Sequence, residues 1–179
     1  MRVLNLPNTL TVARIVIIPM FITALIYRRP HYALYLFALA AITDLLDGFL
    51  ARVTNQKTVL GTFLDPLADK FLLVSSFILF SVYGWVPLWL TITVISRDLI
   101  VVIGWFLLYM ITHNAKVEPV FSGKAAIAMQ LITLTLVLLS ITLPSFRPPL
   151  DFLFAVTAAL TALSGLQYIY KGLRIADAI

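Results

Sequence analysis

Six long apolar stretches dominate the sequence and constrain its fold more than any other feature. A helix needs roughly 20 predominantly apolar residues to cross the hydrocarbon core of a bilayer, and each stretch approaches that length. Hydrophobic residues make up 61% of the 179-residue chain and charged residues only 12%, too few to cover the surface of a water-soluble domain. The sequence therefore predicts an all-α integral membrane protein with six transmembrane helices, over residues 9–27, 32–50, 64–82, 86–110, 125–143 and 150–170.

The breaks between the stretches carry residues that end helices or form turns. Pro30 follows the first stretch, Gly84 and Pro87 separate the third from the fourth, and Pro144 follows the fifth. Neither an internal repeat nor a low-complexity segment divides the chain. We therefore expect a single membrane domain over residues 1–179.

The distribution of basic residues predicts how these helices are oriented. With six spans, both termini lie on one side of the membrane, together with the 51–63 and 112–124 connections. That side carries eight basic residues, Arg2, Arg52, Lys57, Lys70, Lys116, Lys124, Lys171 and Arg174, and the other side carries three, Arg28, Arg29 and Arg147. By the positive-inside rule, we expect a multi-pass protein of the cytoplasmic (inner) membrane with both termini in the cytoplasm.

The net charge of +5 is compatible with nucleic-acid binding as well as with a membrane protein. However, the sequence contains no basic stripe interleaved with aromatic residues, the pattern typical of nucleic-acid surfaces. We expect membrane lipids as partners and no nucleic acid.

Four of the eight acidic residues fall between positions 44 and 69. Asp44 and Asp47 are spaced i, i+3, and Asp65 and Asp69 are spaced i, i+4, so each pair lies on one face of its helix. The first pair is near the end of the second predicted span and the other pair begins the third. Because a short connection joins these spans, we expect the two faces to meet near the cytoplasmic surface.

The composition of this cluster indicates a cation site. Each aspartate at membrane depth costs roughly 2.5–3.5 kcal/mol on insertion scales, and neighbouring carboxylates repel one another unless cations join them. Oxygen ligands without His or Cys suit a hard divalent ion such as Mg²⁺, which prefers to share its coordination with substrate phosphates. Two such ions can polarise a diphosphate and stabilise its leaving group.

Three residues beside the aspartates fit a phosphate ligand. Gly48 and Gly61 let a ligand approach the backbone closely, and Arg52 supplies a cation with bidentate geometry. The alternative is a solvated acidic loop or a set of structural ion pairs. Apolar residues at helical spacing argue against the loop. Arg52 and Lys70 are too few to pair with four acids.

Arg14 and Arg97 lie inside apolar stretches, and an intramembrane charge is a functional candidate. Clustered intramembrane acids also occur in ion and proton transporters. Transporters often show internal repeats and broken helices with sites near the bilayer midplane. Since the acids here lie at one membrane edge and no repeat is present, transport is the remote alternative.

The whole acidic cluster lies in one motif, which reads DxxDGxxAR, then eight further residues, then GxxxDxxxD. This pattern resembles the signature of the CDP-alcohol phosphatidyltransferases. All eight of its fixed positions are filled, by Asp44, Asp47, Gly48, Ala51, Arg52, Gly61, Asp65 and Asp69. The run from Asn5 to Arg14, the run from Leu64 to Lys70, and Ser122-Gly123-Lys124 also resemble the family.

The resemblance implies an enzyme that transfers the phosphatidyl group of CDP-diacylglycerol to an alcohol and releases CMP. It implies that Asp69 is the general base and that Mg²⁺ (or Mn²⁺) is held by Asp44, Asp47, Asp65 and Asp69. It also implies that the CDP pocket is lined by Asp44, Gly48, Ala51, Arg52 and Gly61. A homodimer is the assembly that it implies.

The sequence is compatible with two acceptor alcohols. Arg97 and Lys124 match basic acceptor-site residues of phosphatidylglycerophosphate synthases, which use sn-glycerol 3-phosphate. Trp105 and Ala126 stand where those relatives tend to carry a further Arg and Lys. Ile95-Ser96-Arg97-Asp98 also resembles the CMP-forming cardiolipin synthases, whose acceptor phosphatidylglycerol needs fewer cations. We expect glycerol 3-phosphate, with phosphatidylglycerol as the alternative.

Each of the two basic residues also has a purely structural interpretation. Arg97 is followed by Asp98, so the two can form an internal ion pair. Lys124 stands at the entrance of a predicted helix, where a lysine is often only an interface anchor.

Overall fold

The computed structural model describes residues 6–54, 59–112 and 121–176, and side chains within 13–43, 69–108, 110 and 121–175. Across these ranges the chain forms six α-helices. Each overlaps one of the predicted apolar stretches, which confirms the all-α prediction. The helices are α1 (Leu6–Ile26), α2 (Pro30–Thr54), α3 (Val59–Val82), α4 (Leu88–Thr112), α5 (Phe121–Thr142) and α6 (Leu150–Ala176).

Three segments of the described chain are long and apolar enough to cross a membrane: Leu88–Leu108, Phe121–Thr142 and Leu150–Ile175. Shorter apolar runs lie at Ala13–Ile26 and Pro30–Thr43. Large apolar side chains cover the outside of the helices, where a soluble protein would place polar groups. The chain is a membrane protein. That all six helices cross the membrane and that the termini are cytoplasmic stay predictions.

The chain divides into two compact units. One comprises Met1–Leu79 and Leu138–Arg147, and the other comprises Phe80–Val137 and Pro148–Ile179. In the first unit α1 packs against α2, and in the second α4 packs against α6.

A tight turn joins α1 to α2 in the first unit. Arg28 adopts a left-handed conformation with φ 51°, and its N–H donates to the carbonyl of Leu25. Pro30 then starts α2 at a position where a helix needs no N–H donor. The rings of Phe21 and Phe37 pack with their centroids 5.7 Å apart. This hairpin fixes the face of α1 that turns toward α2.

Buried polar side chains join α5 to α6 in the second unit. Gln130 Nε2 donates to Thr161 Oγ1 at 3.1 Å, and the hydroxyls of Thr133 and Thr157 lie 2.7 Å apart. All four residues are fully buried. Because lipid offers no hydrogen-bond partner, such interhelical bonds fix the rotation of one spanning helix against another.

Candidate active site

The residues of the acidic motif lie at the adjoining ends of two consecutive helices. Asp44, Asp47, Gly48, Ala51 and Arg52 are in α2, and Gly61, Asp65 and Asp69 are in α3. Both aspartate pairs therefore have the helical spacing that the sequence predicts. The side chains of all these residues except Asp69 lie outside the described part of the chain, so their metal and CDP roles stay predictions.

Asp69 forms an ion pair with Arg14. The Nη1 atom of Arg14 donates to Oδ1 of Asp69 at 2.5 Å. The Arg14 side chain is 0% exposed, whereas that of Asp69 is 44% exposed. A buried guanidinium requires an anionic partner, because burying an unpaired charge is costly. The pair therefore orients a carboxylate whose side chain is still partly exposed.

The sequence identifies Arg14 as an intramembrane charge but does not indicate that Asp69 is its partner. The two residues are 55 positions apart and belong to α1 and α3. The available signal was that Arg14 closes the Asn5–Arg14 run that resembles the family. A cation in an apolar helix generally pairs with an acid or with backbone carbonyls, and several acids could have supplied the counter-charge of Arg14.

The chemistry of the donor set fits a divalent cation. Asp44, Asp47, Asp65 and Asp69 offer only carboxylate oxygens, the ligands that Mg²⁺ prefers. Among the described side chains, no three His, Cys, Asp or Glu residues come together. Of the four aspartates, only Asp69 is among the described side chains. The residues present are thus chemically suited to Mg²⁺ or Mn²⁺.

Arg97, predicted to bind the acceptor, lies in α4 inside a network of the second unit. Its Nε and Nη2 atoms donate to the hydroxyl of Ser164 at 3.2 and 2.7 Å, and Nη1 donates to Asp98 Oδ1 at 2.8 Å. Its guanidinium carbon lies 5.4 Å from the ring centroid of Tyr168. The side chain is only 6% exposed. The internal pair with Asp98 is therefore present, and it accompanies three further contacts.

The hydrogen bonds of Arg97 do not use all of its donors. A guanidinium carries five N–H groups, and three of them bind Ser164 and Asp98. Within the described side chains, this leaves one N–H on each terminal nitrogen of Arg97. Two donors are the number that a bidentate contact with one phosphate uses.

Lys124 lies in the first turn of α5 with its side chain exposed. Its neighbour Gly123 brings this turn against Arg97, because a Cβ at Gly123 would lie 3.0 Å from Arg97 Nη2. Trp105 is half-exposed and Ala126 is fully buried. Since neither residue carries a charge, neither position adds a cation to the second unit. The basic groups predicted for the acceptor are Arg97 and Lys124, and both have described side chains.

Comparison with known proteins identifies a family. A family model described as CDP-alcohol phosphatidyltransferase matches residues 4–167. A probable phosphatidylglycerophosphate synthase of Mycobacterium tuberculosis is 33% identical over 97% of this chain and 84% of its own length.

Two further relatives have names that differ from each other. The Escherichia coli CDP-diacylglycerol–glycerol-3-phosphate 3-phosphatidyltransferase is 33% identical over 92% of this chain and 93% of its own length. The human CMP-forming cardiolipin synthase is 34% identical over 98% of this chain and 64% of its own length.

Proposed function

The chain belongs to the CDP-alcohol phosphatidyltransferase family, and from this premise we propose that it transfers the phosphatidyl group of CDP-diacylglycerol to sn-glycerol 3-phosphate. It is a membrane-bound transferase of phospholipid synthesis. The observation that carries the choice of acceptor is the end-to-end similarity to a relative named for this reaction, which covers nearly the full length of both chains.

The proposed architecture is a single membrane domain of six transmembrane helices, with both termini and the active site on the cytoplasmic side of the inner membrane. Six helices and the excess of Lys and Arg beside the termini support it. The assembly that the family resemblance favours is a homodimer.

Asp44, Asp47, Asp65 and Asp69 would hold the divalent metal that this family generally uses. A divalent cation held there would supply positive charge to the diphosphate of the donor and to the leaving CMP. The nucleotide part of the donor lies against Gly48, Ala51, Arg52 and Gly61, with Asp44 beside it. The small residues admit the ligand and the guanidinium of Arg52 binds a phosphate.

Asp69 is the proposed general base. An oxygen–phosphorus bond forms between the acceptor hydroxyl and the phosphatidyl phosphorus, the bond from that phosphorus to CMP breaks, and the hydroxyl proton goes to Asp69. The ion pair with Arg14 supports this role because it fixes the direction of a carboxylate that is still 44% exposed.

Arg97 and Lys124 are proposed to bind the phosphate of the acceptor. The two remaining N–H groups of Arg97 support a bidentate contact with two phosphate oxygens. Lys124 adds an exposed, flexible ammonium that can follow the ligand.

Phosphatidylglycerol is the second candidate acceptor, and one observation favours it. Asp98 already balances the charge of Arg97 at 2.8 Å. A charge-balanced arginine still donates hydrogen bonds but attracts a dianionic monoester less than a lone cation would. The phosphodiester of phosphatidylglycerol carries a single negative charge and needs less compensation.

One assay decides between the candidates. Purified protein is given CDP-diacylglycerol and Mg²⁺ with glycerol 3-phosphate, phosphatidylglycerol, inositol phosphate or serine in parallel, and CMP release is measured. We expect release with glycerol 3-phosphate and none after EDTA treatment. Release with phosphatidylglycerol alone selects the second candidate. A protein that releases no CMP with any of these acceptors contradicts the proposed reaction.

A further inference from the structure

We propose that Gly123 and Tyr168 are positioning residues that hold the guanidinium of Arg97 in one orientation for the phosphate of the acceptor. The inference rests on the proposed role of Arg97 in acceptor binding. It concerns two residues of the second unit that carry no charge and that the acceptor need not touch.

Gly123 closes one side of the guanidinium because it has no side chain. A Cβ placed on Gly123 would lie 3.0 Å from Arg97 Nη2, 3.2 Å from Tyr168 Cε2 and 3.3 Å from Tyr168 Oη. Contacts this short are rare for a real Cβ, so a methyl group would displace the guanidinium, the ring or both. The absence of a side chain at Gly123 therefore lets the first turn of α5 approach Arg97 directly.

Tyr168 and Ser164 act from α6, one helical turn apart. Ser164 accepts the parallel N–H pair of Arg97 Nε and Nη2, which defines the plane of the guanidinium. The ring of Tyr168 lies 5.4 Å from the guanidinium carbon, within the range of a cation–π interaction. These contacts restrain both the rotation and the tilt of the group.

Together with Asp98, these residues determine where the remaining donors of Arg97 point. One N–H on Nη1 and one on Nη2 are left by the contacts with Asp98 and Ser164. Because the acceptor then meets an arginine that is already ordered, binding loses less side-chain entropy. Moving the guanidinium by a few tenths of an ångström would misdirect both donors.

The glycines of the chain provide a graded test. In Gly123→Ala the new methyl group would lie 3.0 Å from Arg97 Nη2, and in Gly165→Ala it would lie 3.4 Å from Arg97 Cγ. In Gly104→Ala it would meet nothing within 4 Å. We expect Gly123→Ala to raise the acceptor KM about tenfold, the loss of one well-made charged hydrogen bond. The other two variants are expected to keep the acceptor KM within about twofold of wild type.

The KM for CDP-diacylglycerol separates positioning from general damage. All three substitutions replace glycine by the best helix former within a helix, so intrinsic propensity favours folding. We expect every variant to keep the wild-type KM for CDP-diacylglycerol and a wild-type unfolding temperature. If Gly123→Ala unfolds earlier while its acceptor KM stays unchanged, Gly123 serves packing alone and the inference is wrong.

Tyrosine substitutions test the second positioning residue. Tyr168→Phe keeps the ring and is expected to keep the acceptor KM, whereas Tyr168→Leu is expected to raise it about fivefold. Tyr170→Leu is the matched control, since the Tyr170 side chain is 70% exposed. Equal acceptor KM values for Tyr168→Leu and Tyr170→Leu would overturn the role of Tyr168.

Arg97→Gln distinguishes failure of this inference from failure of the proposed function. A raised acceptor KM in Arg97→Gln combined with a wild-type value in Gly123→Ala leaves Arg97 as a ligand of the acceptor and rejects the positioning residues. An unchanged acceptor KM in Arg97→Gln rejects the acceptor role of Arg97 and, with it, the inference.

Discussion

Among the described side chains two arginines are buried, and the aspartates that pair with them differ in exposure and in distance along the chain. Arg14 in α1 pairs with Asp69 in α3, across 55 positions of sequence, and Asp69 remains 44% exposed. Arg97 in α4 pairs with the next residue, Asp98, whose side chain is only 11% exposed. The first pair connects an interior cation to an accessible carboxylate, and the second is almost wholly internal.

This difference fits the two proposed roles, proton removal by a carboxylate and acceptor binding by an arginine. A reacting carboxylate has to meet a ligand, so its counter-charge is the group that can be buried. A binding arginine instead has to present a few N–H groups in fixed directions, and its counter-charge and Ser164 can be buried with it. We therefore expect substitutions at the first pair to change turnover and those at the second to change acceptor affinity.

The largest expected effect is that of Asp69→Asn. An amide keeps the size of the side chain but cannot remove a proton, so turnover should fall about 10²- to 10⁴-fold while CDP-diacylglycerol still binds. CMP release and equilibrium binding of the donor measure the two properties. Asp151→Asn, on the exposed first turn of α6, is the control. Turnover near that of wild type would remove Asp69 from the role of base.

Asp44→Asn should change the response to metal. Losing one carboxylate weakens a cation site whose ligands are all oxygen, so the Mg²⁺ concentration for half-maximal activity should rise about tenfold or more. A metal titration of CMP release measures this shift, with Asp151→Asn again as control. A superimposable titration would show that Asp44 is not a metal ligand.

Arg14→Gln should lower turnover more than acceptor affinity. Removing the guanidinium releases the orientation of Asp69 and costs about 1.5–3 kcal/mol of charged hydrogen bonding, which corresponds to a roughly 10- to 100-fold lower kcat. Arg14→Lys keeps the charge and should recover part of the loss. Separate kcat and acceptor KM values test the comparison, which fails if only the acceptor KM changes.

Thr157→Val should have the smallest effect, a slight loss of stability with turnover and acceptor affinity unchanged. The hydroxyl of Thr157 lies 2.7 Å from that of Thr133, and such interhelical bonds contribute about 0.6 kcal/mol on average. The free energy of unfolding in detergent should fall by about that amount with wild-type turnover. Thr93→Val is the matched control, because Thr93 donates only to Trp89 O of its own helix. A large loss of turnover in Thr157→Val would give the α5–α6 contact a catalytic role.

The positions of the helices could be predicted because hydropathy is a local property, but their ends could not. The last apolar stretch was predicted over 150–170, whereas α6 extends to Ala176. The third was predicted from 64, whereas α3 begins at Val59. Hydropathy locates only the apolar section of a helix. The backbone hydrogen bonds of the helix continue through the polar residues on either side of that section.

The candidate site could be predicted from the sequence wherever its residues lie close together along one helix. The aspartates of α2 are spaced i, i+3 and those of α3 are spaced i, i+4, so each pair shares a helix face whatever the rest of the fold. Asp98 directly follows Arg97. Gly123 belongs to the Ser122-Gly123-Lys124 run that resembles the family, but nothing in that run indicates a contact with Arg97.

Sequence alone determined the membrane class, the helical elements, the family motif and the residue types that can bind a cation or a phosphate. Only the tertiary structure decided that Arg14 meets Asp69 and that Gly123, Ser164 and Tyr168 surround Arg97. The physical reason is that periodicity fixes which residues share a face of one helix. Which face turns toward which neighbour depends on the packing of all the helices of a unit together.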